Sequence, residues 1–141
     1  MSLLHDAYTA LLSGLTTKTG NEIHWQDKKG NPITIEPIDV SKNKYIIRRY
    51  YSNGKKWWED NYQNGQLHGK SIGWHENGNK WREEEWLNGQ LHGKYTEWHY
   101  DGNKYRQDDY QNGQLHGKSI GWYKSGNKIW EVEYQNGKLI K

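Results

Sequence analysis

Cysteine is absent from the 141 residues, which excludes a disulfide framework, a thiolate nucleophile and any cysteine metal site. Phenylalanine is absent too, and Leu, Ile and Val together number only 22, so a large aliphatic core is excluded. No apolar run approaches the ~18 residues that a membrane-spanning helix needs. Both prolines, Pro32 and Pro37, precede residue 41, and the rest of the chain lacks the residue that most disrupts a backbone ladder. An excess of one charge is missing as well: 20 Lys plus Arg face 17 Asp plus Glu, a net of +3. Disorder driven by like charge is therefore not expected, despite a mean hydropathy of -1.28. The first 15 residues carry neither a basic leading segment nor a small-residue cleavage site. The expectation is an intracellular, cytoplasmic protein that is not secreted.

What the chain has instead is tryptophan, tyrosine and glycine, at 9, 11 and 16 residues. Each large aromatic can bury roughly 150–250 Å² while keeping an N–H or O–H at a wet edge. That suits a thin, ordered β protein. The glycines keep count: Gly54, Gly65, Gly78, Gly89, Gly102, Gly113, Gly126 and Gly137 are separated by alternating steps of 11 and 13 residues. Six follow asparagine, one follows Asp101 and one follows Ser125. Asn-Gly and Asp-Gly tolerate two adjacent positive φ angles, the strongest short hairpin signal. One strand fits between turns, so the repeating unit is a 24-residue double hairpin.

The units align without gaps. Trp57, Trp81, Tyr105 and Ile129 share one column; Tyr62, Trp86, Tyr110 and Tyr134 share another. Leu67, Leu91, Leu115 and Leu139 form a third, and Tyr50, Trp74, Trp98 and Trp122 a fourth. Residues 62–74 recur unchanged at 110–122. The expected fold is mostly β, an elongated twisted antiparallel sheet of these units with an N-terminal capping helix. In residues 1–15, Leu3, Leu4, Ala7, Tyr8, Leu11, Leu12 and Leu15 lie at helical spacing, and Ser2 can cap the helix. Its polar face lacks the Lys and Arg of a membrane-surface helix, so membrane binding is not expected. The segment from His24 to Asn31 reads as a divergent hairpin, with Pro32 and Pro37 confining it to an edge or a turn. Residues 1–44 are thus expected as a cap of helix plus hairpin, and 45–141 as the array.

Chemistry of other kinds fits poorly. His68, His92 and His116 recur every second strand, roughly 10 Å apart from the strand spacing, whereas zinc needs ligand nitrogens at about 2 Å. A shared metal is excluded, leaving packing or turn hydrogen bonding. The acids Glu59, Asp60, Glu83, Glu84, Glu85, Asp108, Asp109, Glu131 and Glu133 repeat beside lysine columns, as expected of a solvated face pairing charges across strands. Neither catalysis nor a cofactor is expected. From residue 54 onward 13 Lys plus Arg face 12 Asp plus Glu, which gives no electrostatic excess for nucleic acid.

The run Tyr62-x-Asn64-Gly65-x-Leu67-His68-Gly69, repeated as Trp86 to Gly93 and Tyr110 to Gly117, resembles the membrane occupation and recognition nexus (MORN) repeat. It is similar above all to the Asn-Gly-rich variant of bacterial proteins, some classed as antitoxins, and of large DNA viruses of amoebae. The resemblance implies a non-enzymatic scaffold or dimerisation element of successive hairpins, and admits a place in a virus particle or infected cell. A protein partner or a second copy is therefore expected. Aromatic and Arg anchors dominate interfaces, so Trp58, Arg82, Arg106 and Trp130, in one column, are the expected contact stripe. Leu139 and Ile140 are the expected self-association edge, since an unpaired strand invites another. The alternative is a small-ligand binder for choline or a glycan, on the likeness of Gly121 to Lys124 and Gly126 to Trp130 to aromatic-cage repeats.

Overall fold

The computed structural model describes residues 17–19 and 21–140. Twelve strands form one sheet: β1 (Thr17–Thr19), β2 (Glu22–Gln26), β3 (Pro32–Asp39), β4 (Lys44–Tyr50), β5 (Lys56–Gln63), β6 (Gln66–Trp74), β7 (Lys80–Leu87), β8 (Gln90–Trp98), β9 (Lys104–Gln111), β10 (Gln114–Trp122), β11 (Lys128–Gln135) and β12 (Lys138–Leu139). Each pairs antiparallel with its neighbours in the chain, so spatial order equals sequence order. A 3-10 turn, Val40–Lys42, joins β3 to β4. The sheet runs through residue 44 without interruption, because β3 pairs with β4. The amphipathic stretch over residues 1–15 lies outside the described residues. No described helix is long and apolar enough to cross a membrane.

The 11/13 alternation comes from two different turns. At the tight turns both central residues have positive φ: Asn64 (53°), Asn88 (49°), Asn112 (52°) and Asn136 (50°), each followed by its glycine. Only glycine and, at modest cost, asparagine or aspartate visit that region routinely. The other four turns span five residues and place only the glycine at positive φ, as at Gly54 (88°). There the residue before glycine folds its side chain onto the backbone N–H two positions on: Asn53 to Lys55 (2.9 Å), Asn77 to Asn79 (3.0 Å), Asp101 to Asn103 (3.1 Å), Ser125 to Asn127 (3.4 Å). Any short acceptor serves that purpose. Aspartate and serine accordingly appear only in this column, and the tight-turn column is asparagine throughout.

The last three tight turns also dock on the preceding hairpin. Gly89, Gly113 and Gly137 donate their N–H to the Leu67, Leu91 and Leu115 carbonyls at 2.9, 2.9 and 2.8 Å. Asn88, Asn112 and Asn136 donate theirs to Nδ1 of His68, His92 and His116 at 3.2, 3.4 and 3.2 Å. The histidine ladder is thus a turn clasp between repeats, with Nδ1 as the acceptor. Among the described residues no group of three or more His, Asp or Glu could hold a metal ion.

The two prolines lie in β3, an interior strand, rather than at an edge or in a turn as expected. They are tolerated because Pro32 opens the strand and Pro37 lies beyond the end of its ladder with β2, which stops at Ile35. On one face, Ile23, Ile35, Ile47 and Tyr45 are buried, and Trp25, Ile33 and Tyr62 pack against them. Register continues this row across the sheet: Ile23, Ile35, Ile47, Asp60, Ser71, Glu84, Tyr95, Asp108, Ser119, Val132. The aliphatic core therefore gives way, in line, to a buried polar spine.

Candidate binding face

The spine corrects the expectation that all the repeated acids face solvent. Asp60, Glu84 and Asp108 are buried, Asp108 to 0% exposure. A buried carboxylate needs partners, and each has them. Asp60 accepts from the Trp58 Nε1–H at 2.5 Å and from the Ser71 hydroxyl, with Arg49 at 3.6 Å. Glu84 accepts from Arg82 at 3.0 Å and from Trp86 Nε1–H at 2.6 Å. Asp108 accepts from Arg106 Nε at 2.6 Å and from the Ser119 hydroxyl at 2.5 Å. Burial pushes the Asp60 carboxyl above its ordinary range, outweighing the hydrogen bonds from Ser71 and Trp58. The remaining acids do lie on the opposite face, where Lys56–Glu59, Lys70–Glu83, Lys80–Glu83 and Lys128–Glu131 pair and Arg48 gathers Glu22, Glu36 and Glu59.

Beside the spine runs a second row on the same face: Arg49, Trp58, Gly73, Arg82, Glu97, Arg106, Gly121, Trp130. All four residues of the expected contact stripe are in it. The structure brings them into one line but engages them internally. Trp58 lies across Gly73, where a Cβ would overlap ring atoms Cζ3 and Cε3, and Trp130 lies across Gly121 in the same way. Between the two arginines the row has Glu97 in place of a glycine, and its carboxylate accepts from the Tyr95 and Tyr105 hydroxyls. Burial, then the Glu97 hydrogen bond, pushes the Tyr105 hydroxyl up to about 12, and raises Tyr95 further. Arg82 stacks on Trp58, Trp81 and Tyr95 with its guanidinium carbon 5.7, 4.7 and 5.7 Å from the ring centroids.

A bulge adds one residue to each repeat, aromatic in the first three and Ile129 in the last. Gly73 pairs with Arg82 and Trp74 with Lys80, leaving Trp81 as the extra residue. Trp81 turns onto the Arg82 side and packs edge-on against Trp58 at 5.5 Å. In the first three repeats the first residue of the wide turn leans on the bulge residue: Tyr51 on Trp57 at 6.1 Å, His75 on Trp81 at 6.4 Å, His99 on Tyr105 at 4.8 Å. The result is an aromatic gallery along one margin of the face.

The gallery is filled in the early repeats and open in the last. Ile129 occupies the bulge column where Trp57, Trp81 and Tyr105 stand, and an open cleft of about 650 Å³ lies beside it. His99 and Tyr105 line one side, with Tyr123, Ile129 and Trp130 opposite and Lys124 and Ser125 at the turn. Tyr123, Ile129 and Trp130 are 57%, 48% and 38% exposed. Of the expected stripe only Trp130 reaches this cleft. Trp58 is half-buried, Arg82 is bound to Glu84, and Arg106 to Asp108. The expected edge residues, Leu139 in β12 and Ile140 just after it, are 60% and 54% exposed. The cleft itself went unrecognised in the sequence. Its signal was the one aliphatic residue in an otherwise aromatic column.

No family model matches the chain, and no curated relative does. Among solved structures the chain is similar to TarM, at 11% identity and a TM-score of 0.41, over 97% of this chain and 24% of that one. It is likewise similar to a TarM mutant from S. aureus in complex with fondaparinux, alpha-GlcNAc-glycerol and UDP, at 10% identity and a TM-score of 0.41, over 94% of this chain and 24% of that one. The chain spans about a quarter of the length of those proteins. Likeness at this level does not bear on what the chain binds.

Proposed function

We propose that the chain is a non-catalytic protein-interaction scaffold of MORN-like repeats, whose gallery holds an aromatic anchor from a partner protein at the Ile129 cleft. The observation that carries this reading is the vacancy in the column. Three repeats supply their own Trp or Tyr there, and the fourth supplies isoleucine and leaves the walls in place. An incoming Trp or Tyr would complete the column as Trp81 does beside Trp58. It would bury about 150–250 Å², a gross gain of about 4–6 kcal/mol at 25 cal/mol per Å², which suits a hot-spot contact. Catalysis fits the face poorly, because Asp60, Glu84 and Asp108 are buried and committed to neighbours on their own sheet. The choline reading has the aromatic walls in its favour, but Lys124 stands at the cleft and no carboxylate lines it, the reverse of what a quaternary amine favours.

Ile129→Trp is the discriminating variant, since tryptophan already fills this column at Trp57 and Trp81. A displayed random-peptide library panned on the wild-type chain is expected to yield peptides sharing a Trp or Tyr that bind Ile129→Trp at least tenfold more weakly, about 1.4 kcal/mol. Peptides without an aromatic anchor, or equal binding to the filled variant, would overturn the reading. A saturable Trp fluorescence response to choline or an oligosaccharide, lost in Ile129→Trp, would favour the small-ligand alternative.

A further inference from the structure

The six Asn-Gly pairs differ in one respect that decides their chemistry. Asparagine next to glycine is the sequence most open to succinimide formation, because glycine has no side chain to hinder attack. The nucleophile is the glycine backbone nitrogen, so the bond made by its N–H matters. Five of the six N–H groups are held: Gly54 by the Tyr51 carbonyl, Gly78 by His75, Gly89 by Leu67, Gly113 by Leu91 and Gly137 by Leu115, all at 2.8 to 3.0 Å. The Gly65 N–H has no acceptor among the described residues. The cause is local sequence. Leu67 and His68 provide the clasp for the next tight turn, but one period earlier the chain has Asn43 and Lys44. Lysine offers no imidazole acceptor, so the Asn64 N–H takes the Asn43 carbonyl instead, at 3.1 Å, and Gly65 is left over.

We propose that Asn64 is the chain's site of spontaneous deamidation, a self-modification that the later tight turns resist. The Gly65 nitrogen bonds to Asn64 Cγ as the Cγ–Nδ2 bond breaks. Its proton leaves with Nδ2 as ammonia, and a five-membered succinimide remains. Water then opens either carbonyl, giving aspartate or isoaspartate; the latter is a substrate for enzymes that methylate isoaspartyl carboxylates. Isoaspartate routes the backbone through one extra methylene in the turn between β5 and β6, which loosens the hairpin behind Trp58. Exposure does not set Asn64 apart, because Asn64, Asn88, Asn112 and Asn136 are all exposed. Backbone conformation does not either, with φ between 49° and 53° at all four.

The chain contains its own control, since residues 62–67 and 110–115 are identical. Incubation of the folded full chain at mildly alkaline pH, followed by tryptic mapping, separates the two sites in different peptides, residues 57–70 and 107–118. Asn64 is expected to convert about fivefold faster than Asn112, the factor that one net backbone hydrogen bond corresponds to. In concentrated urea the two rates are expected to converge. Lys44→His, which installs the missing acceptor, is expected to slow Asn64 toward the Asn112 rate in the folded chain. Equal rates in the folded chain, a difference that persists in urea, or a Lys44→His variant with Asn64 no slower would each overturn the proposal.

Discussion

Adding one methyl group at Gly73 tests the row that ties neighbouring repeats together. An alanine Cβ there would overlap the six-membered ring of Trp58, and the ring is held at its nitrogen and packed against a neighbouring ring. Its Nε1–H is held by Asp60 at 2.5 Å and by Ser71 at 3.1 Å, and its far side packs edge-on against Trp81 at 5.5 Å. Overpacking of this kind costs about 1–3 kcal/mol, and displacing the hydrogen-bonded indole adds about 1 kcal/mol. Gly73→Ala is therefore expected to destabilise by about 2–4 kcal/mol. The clean assay is a double-mutant cycle in urea, with Gly73→Ala, Trp58→Ala and the double variant compared at constant m. Once the ring is gone the added methyl meets little, so the coupling is expected to be about 2 kcal/mol or more in favour of the pair. Additive effects within about 0.5 kcal/mol would refute the claim that Trp58 and Gly73 form one interlocked unit.

Three further outcomes follow from the turns and the spine. Asn112→Ala, at a φ of 52°, is expected to cost about 1–2 kcal/mol in thermal or urea unfolding, whereas Asn53→Asp, in the column where Asp101 already stands, should stay within about 0.5 kcal/mol. Asp60 has its folded pKa raised by burial, so its charge opposes folding above that pKa, and the opposition fades as pH falls through it. Wild type should thus gain stability relative to Asp60→Asn on acidification from pH 7, and a relative loss would contradict the assignment. Glu97→Gln removes the carboxylate that holds the Tyr95 and Tyr105 hydroxyls, so the Tyr105 ionisation near 12 is expected to fall toward the ordinary value of 10.0 in an alkaline absorbance titration.

The period was legible in the sequence because left-handed backbone permits so few residues: asparagine and glycine mark every tight turn. The columns were legible for the same reason, since turns at fixed intervals hold the strands in register. The faces were harder to read. Trp81 and Arg82 are consecutive, yet both contact the Trp58 ring, because a bulge spends one residue without changing sides. Counting by twos through Lys80–Leu87 therefore misassigns part of each strand, and the buried spine of Asp60, Glu84 and Asp108 is lost among the surface acids. The exchange of Trp–Gly for Arg–Glu pairing was visible residue by residue. Its meaning appears only once Gly73 and Gly121 are seen lying under indole rings. The cleft was hidden for a related reason: a single Ile in an aromatic column reads as drift until the neighbouring walls are seen to stay in place.

The proposed seating of an aromatic anchor beside Ile129 is tested most directly by methyl NMR. N-acetyl-tryptophanamide titrated into the full chain is expected to shift the Ile129 methyl saturably, with a dissociation constant of about 1 mM for a single anchor without its surrounding chain. Tyr123 and Trp130 signals should move with it, and the Ile72 and Ile120 methyls on the opposite face should not. No saturable shift at Ile129, or equal shifts at Ile72 and Ile120, would contradict the account.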